Sequence, residues 1–175
     1  MSTLTVKELA APTGYDLKIA AGETLDLKSQ GTVTMPTGSV IQTVSATYST
    51  EVQTTSQSHS DTGLTATITP TSSSNKVLVI VNQNGLEKDN SDIRMEIKLL
   101  RGSTDVLIFA GDQTCNTSTN NRTDIGGAGG TILDTPSTTS ATVYKTQFKN
   151  VNSNGTISVN NGTAVSTITL MEVAG

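Results

Sequence analysis

The chain has 175 residues, with 11 Lys+Arg against 15 Asp+Glu, 3% aromatic residues, one His, one Cys and no Trp. This composition excludes a cationic nucleic-acid surface with stacking aromatics, an internal disulfide and a Cys/His zinc centre. Threonine occurs 32 times and serine 19 times, and the apolar content is below that of an average globular chain, so a thin sandwich or a subunit interface is expected to make up the shortfall.

The first thirteen residues read as a docking arm. Thr3 to Glu8 alternates, with Leu4 and Val6 on one side and Leu9 following. The same stretch, from Val6 to Ala11, is equally compatible with one helical turn before Pro12. Lys7 and Glu8 precede Ala-Ala-Pro rather than a long apolar core, so a signal peptide is not expected. The longest strongly apolar run, Val77 to Val81, is far short of the ~20 residues that span a bilayer as a helix.

Residues 14–37 repeat with a period of eight: GYDLKIAA, GETLDLKS, QGTVTMPT. The fourth position holds Leu17, Leu25 and Val33, and the sixth holds Ile19, Leu27 and Met35. Residues two apart on a strand point the same way, so each copy aims two apolar side chains at one side. The Gly-bearing segment then turns the chain. Repeats this short cannot bury an apolar face alone and must stack on neighbours. Copies from several chains meeting around one axis, as a β-prism or β-spiral stalk, satisfy that need. An extended arm lying on the domain or on another protein, and a mobile linker, are the other readings.

Residues 38–175 are predicted to form an all-β sandwich of the jelly-roll kind. Strands are expected at Val40–Tyr48, around Leu64–Ile68, Val77–Val81, Ile93–Leu99, Val106–Ala110, Ala141–Phe148, Gly155–Asn160 and Val165–Val173. Val77 to Val81 is apolar on both faces, which marks a central strand or an interface. Ile93, Met95, Ile97 and Leu99 alternate with Arg94, Glu96 and Lys98, which gives one wet face. Asp61-Thr62-Gly63, Pro70 to Asn75, Asn84-Gly85, Arg101-Gly102, Asn154-Gly155 and Asn161-Gly162 read as turns. Gly111 to Ser140 reads as a long loop with at most a short strand near Gly130 to Leu133, and as a candidate for outward contacts by position alone.

Three segments carry a resemblance: Leu25 to Ile41 (LDLKSQGTVTMPTGSVI), Asp61 to Val79 (DTGLTATITPTSSSNKVLV) and Ser166 to Ala174 (STITLMEVA). Together they resemble short fibre and spike proteins of tailed bacteriophages, especially those of marine phages. The resemblance implies a homotrimeric virion surface protein, made in the host cytoplasm, whose N-terminal arm attaches to the particle while the β-domain projects. The short chain fits a capsid-decorating protein or short head fibre at least as well as a tail fibre. Other virion proteins are then the expected partners. A tail-fibre adhesin or glycan-binding module, with a host surface glycan as ligand, is the rival reading.

No catalytic, cofactor-binding or metal-ligating residue is assigned. Ser58-His59-Ser60-Asp61 places triad residue types side by side, whereas triads are assembled from separate segments. Cys115 has no basic neighbour before Arg122 to lower its pKa. Glu87 to Asp92 is acidic but lacks the Gly and distal Glu of an EF-hand loop, and reads as a solvated hairpin. Gly126 to Gly130 lacks the Lys-Ser/Thr of a phosphate loop. The readings left are a stalk interface of Leu17, Ile19, Leu25, Leu27, Val33 and Met35, and a docking set of Leu4, Val6 and Leu9.

Overall fold

The structure is a computed structural model that describes residue 21 and residues 35–90, 93–111, 123–152 and 155–175. Met35–Gly175 forms one compact unit. Its threonine- and valine-rich alternating segments become ten strands, and no helix occurs among the described residues. They are β1 (Val40–Tyr48), β2 (Val52–Thr54), β3 (Ser60–Ile68), β4 (Lys76–Lys88), β5 (Met95–Arg101), β6 (Thr104–Ala110), β7 (Thr123–Asp134), β8 (Thr142–Asn150), β9 (Ile157–Val159) and β10 (Ser166–Val173).

Two antiparallel sheets face each other. One orders β1-β10-β4 and adds β7 on the far edge of β4; the other orders β3-β8-β5-β6. With the short strands β2 and β9 set aside, the first strand pairs with the last, the second with the second-last, and so inward to the β5–β6 hairpin. A single long antiparallel ribbon has been wrapped so that successive pairs alternate between sheets. That is a jelly roll, as the strand pattern predicts. β4 is the spine of its sheet. β7 occupies one edge over the whole strand, while β10 pairs with Lys76 to Asn82 and β9 with Glu87 and Lys88 on the other.

The period-two alternation sorts side chains between core and solvent. Val77, Val79 and Val81 of β4, Ile168 and Leu170 of β10, Leu64 and Ile68 of β3, Leu99 of β5 and Tyr144 of β8 make one buried cluster. Leu86, Ile93, Met95, Ile97, Phe148, Ile157 and Val159 make a second. Each fully buried aliphatic contributes about 1.5–3 kcal/mol relative to exposure. The two clusters are divided by a buried polar belt at Gln83 of β4, between Val81 and Leu86, and Thr146 of β8, between Tyr144 and Phe148.

The belt is a directed chain of hydrogen bonds. The Thr62 and Thr146 hydroxyls are bonded to each other. Thr146 Oγ1 then donates to Gln83 Oε1 at 2.9 Å, and Gln83 Nε2 donates to Ser166 Oγ at 2.8 Å and to Asn160 Oδ1 at 3.3 Å. Ser166 Oγ accepts the Asn84 backbone N–H at 2.9 Å, and Asn160 Nδ2 donates to the Thr50 carbonyl at 3.1 Å. The belt thus fills the gap along β4 where β10 has ended and β9 has not yet begun. Its satisfied donors and acceptors avoid the 1–3 kcal/mol that each orphaned buried polar group costs, at about that magnitude.

Several sequence expectations are corrected. Asn84-Gly85 and Asp61-Thr62-Gly63 are not connections but bulges inside β4 and β3, where the pairing register slips. Gly63 lies at φ 89° directly under the Tyr48 ring, so a side chain there meets both strain and a clash. The short strand expected near Gly130 to Leu133 is β7, which runs for 12 residues through the Gly126–Gly130 run. Glu87 and Lys88 are not in a solvated hairpin but lie buried at the end of β4. β2, at three residues, is too short to show an alternation in the sequence.

Candidate functional site

The two outer sheet faces have opposite chemistry. On the β3-β8-β5-β6 sheet, Asp61, Gln147, Lys98 and Ile108 form one cross-strand row, and Thr65 and Lys145 pair in the next. Glu96 stands opposite Lys149. Their charges are paired: Lys98 with Asp105 at 2.8 Å, Lys145 with Asp61 at 2.9 Å, and Lys149 with Glu96 at 3.1 Å. Burial raises the Asp61 pKa, but the Lys145 and Gln147 donors outweigh it and hold the carboxyl below the usual carboxylate range. This is the wet face that Arg94, Glu96 and Lys98 announced in the sequence.

The opposite sheet presents aliphatic and hydroxyl side chains. Thr43, Met171, Leu78 and Leu133 make one outward row across β1, β10, β4 and β7. Ser45, Thr169, Ile80 and Thr131 make the next. Val40 and Val173 pair beside Lys76 at the near end. The apolar character of Val77 to Val81 on both faces is explained here: odd residues enter the core, and Leu78 and Ile80 point out.

The reactive residue types do not converge. His59 Nε2 lies 3.0 Å from Glu96 Oε1, while Asp61 is taken by Lys145 and Gln147, so the Ser-His-Asp run assembles no triad. Burial, with Lys98 and Lys149 nearby, holds the His59 pKa below its ordinary value despite Glu96. Tyr144 donates its hydroxyl to Asp134 Oδ2 at 2.6 Å, and Arg101 Nη1 donates to both oxygens of the same carboxylate. Burial and the Asp134 carboxylate push the Tyr144 pKa far up, so its hydroxyl stays a donor at the sandwich end. Among the described residues no group of three His, Cys, Asp or Glu side chains is placed to hold a metal. A small cleft lined by Gln53, Glu87, Asp89, Thr156 and Ser158 is polar, and the Asp89 carboxylate there accepts the Thr156 backbone N–H at 2.6 Å.

A buried carboxylate, Glu172, anchors the β10 end. Glu172 accepts hydrogen bonds from the Thr71 backbone N–H and Asn75 Nδ2, each at 2.6 Å, from the Thr71 hydroxyl at 2.8 Å, and from Gln42 Nε2 at 2.6 Å. Burial alone raises its pKa, and these donors reverse that into a net lowering. Gly175 N–H donates to Asn75 Oδ1 and Gly38 N–H to the Ala174 carbonyl, so residues 38 and 175 are tied to the same corner.

Of the residues assigned from sequence, Met35 is described and exposed. Leu4, Val6, Leu9, Leu17, Ile19, Leu25, Leu27 and Val33 lie outside the described residues, as do Cys115 and Asn154. The outward aliphatic rows were not assigned from sequence; alternation on both faces of Val77 to Val81 was the signal for them.

No family model matches the chain, and no curated relative matches it. Among solved structures it is similar to the VP2 subviral particle of infectious bursal disease virus, with a TM-score of 0.41 and 14% identity over 87% of this chain. The match spans 42% of that viral chain, so this chain corresponds to less than half of it.

Proposed function

We propose that the protein is a structural component of a tailed-phage virion, a homotrimeric capsid-decorating protein or short head fibre held to the particle by its N-terminal arm. The observation that carries this reading is where the resembling segments fall. Asp61 to Val79 supplies β3 and the first strand positions of β4, and Ser166 to Ala174 supplies β10. Two of the three resembling segments therefore fall on strands that build the jelly-roll core, where a shared scaffold leaves its mark, and the third, Leu25 to Ile41, runs from the octad repeats to the start of β1. The octad repeats precede that scaffold directly in the chain.

A scaffold of this kind acts by burial of apolar surface and needs no reacting group. The glycan-binding alternative gains no support from the aromatics among the described residues. Tyr144 and Phe148 are buried, and Tyr48 and Phe109 are packed against the core. A sugar-stacking platform needs an exposed ring.

Sedimentation with particles tests the division of labour. The full chain is expected to co-sediment, and a chain lacking residues 1–13 is expected to remain in the supernatant as a folded trimer. Co-sedimentation of the shortened chain contradicts the assignment of the arm.

A further inference from the structure

We infer that the outer face of the β1-β10-β4-β7 sheet is covered by a second copy of this chain. The inference rests on the homo-oligomeric reading above and names the surface through which the sandwiches meet.

Six aliphatic side chains project from this face: Val40, Val173, Met171, Leu78, Leu133 and Ile80. The register makes them neighbours, with Leu78 flanked by Met171 and Leu133, and Val40 opposite Val173. Cross-strand pairs of this kind lie about 4.5–5.5 Å apart, so the patch is contiguous rather than scattered. Leu133 is 48% exposed and Val40 51%. The rows beyond carry Ser45, Thr47, Thr167, Thr169, Thr131 and Asn82, and Lys76 is a charge at the near rim.

Charge decides the occupant. The chain carries a net charge of −4, so two copies repel wherever their carboxylates approach. The rows of this face from Lys76 to Asn82 carry none, Glu87 lying beyond them at the β9 end, whereas the opposite sheet carries Asp61, Glu96 and Asp105 with three lysines. A partner of opposite charge finds nothing here to pair with. A neutral face of aliphatic and hydroxyl groups can pack against neighbouring copies gathered about one axis, as the homotrimeric reading requires. The area suffices. Four strands about 4.8 Å apart and eight residues of about 3.3 Å each give about 19 by 26 Å. That is about 500 Å² per copy in projection, the share one partner gives to the ~1,000 Å² of a specific interface.

Thiol protection tests this in the full chain. Leu133→Cys and Ile108→Cys are made separately in a Cys115→Ser background, and their rates with a bulky maleimide are compared alongside solution mass. The two positions are matched, since Ile108 is 54% exposed and lies on the charged sheet. The expected result is an oligomer in which position 133 reacts at least tenfold more slowly than 108, with the difference lost in denaturant. Thr131→Cys, in the adjacent row, repeats the measurement if Leu133→Cys does not fold. An oligomer with equal rates overturns the interface and leaves the oligomeric reading standing. A monomer at every concentration overturns that reading, and the interface with it.

Discussion

Thr146 on β8 donates its hydroxyl proton to Gln83 Oε1 on β4 across 2.9 Å, joining the two sheets through the middle of the core. Gln83 has every polar group in use, since its Nε2 serves Ser166 and Asn160. Gln83→Leu is therefore expected to cost about 2–4 kcal/mol, because Thr146, Ser166 and Asn160 each lose a buried partner. Thr62→Val, at the end of the chain of bonds, is expected to cost less. Urea denaturation of the two single variants and the double variant reads the coupling, and additive effects contradict a connected belt.

Gly130 of β7 sits against β6 of the other sheet. A Cβ placed there meets Phe109 Cβ at 2.7 Å and Leu107 Cδ2 at 2.8 Å. Phe109 Cβ cannot swing away, because it is fixed to its own backbone. Gly130→Ala is expected to destabilise by about 1–3 kcal/mol through overpacking. At Gly129 the nearest obstruction is the Asn82 side-chain oxygen, which can rotate, so Gly129→Ala is expected to cost less. Equal midpoints in a thermal melt contradict that ordering.

Glu172 makes stability fall in acid. Burial raises its pKa, but bonds from Asn75, Gln42 and Thr71 leave it below its ordinary value of 4.5. A carboxyl with a lowered folded pKa stabilises fully above its unfolded value, and that stability is lost as pH falls through the folded one. Glu172→Gln is expected to flatten the acid limb below pH 4.5 while lowering stability at neutral pH. Asp61, also lowered, keeps part of the slope. An unchanged acid limb contradicts the role of Glu172.

His59 adds a separate slope nearer neutrality. Burial, with Lys98 and Lys149 nearby, holds its pKa below 6.5 although Glu96 pulls the other way. The unfolded chain then binds the proton more readily, so stability declines as pH falls below 6.5. His59→Gln is expected to remove that decline, which urea midpoints measured from pH 8 down to about pH 5 resolve.

The sandwich was legible because alternation survives in the strands that face both core and water. Ile97 and Leu99 against Glu96 and Lys98 give both the strand and its wet face. β7 was not legible through Gly126 to Gly130, since glycines on either side of Ala128 show no alternation. Their reason lies in partners far along the chain: Asn82 and Asn84 over Gly129 and Gly127, and Phe109 and Leu107 against Gly130. Gly63 and Gly85 misled for a different reason. A positive φ serves a bulge as well as a turn, and only the pairing register separates the two. The polar belt was hidden because Thr62, Gln83 and Thr146 look like solvent-facing residues until the fold brings them together. The outward rows were half legible, since Val77 to Val81 is apolar on both faces but does not say which neighbours extend the patch.

Light scattering after size exclusion of the full chain tests the central claim, that copies of this jelly roll assemble with one another. The account predicts a mass of three times 18.2 kDa. A mass of 18.2 kDa at every concentration contradicts it.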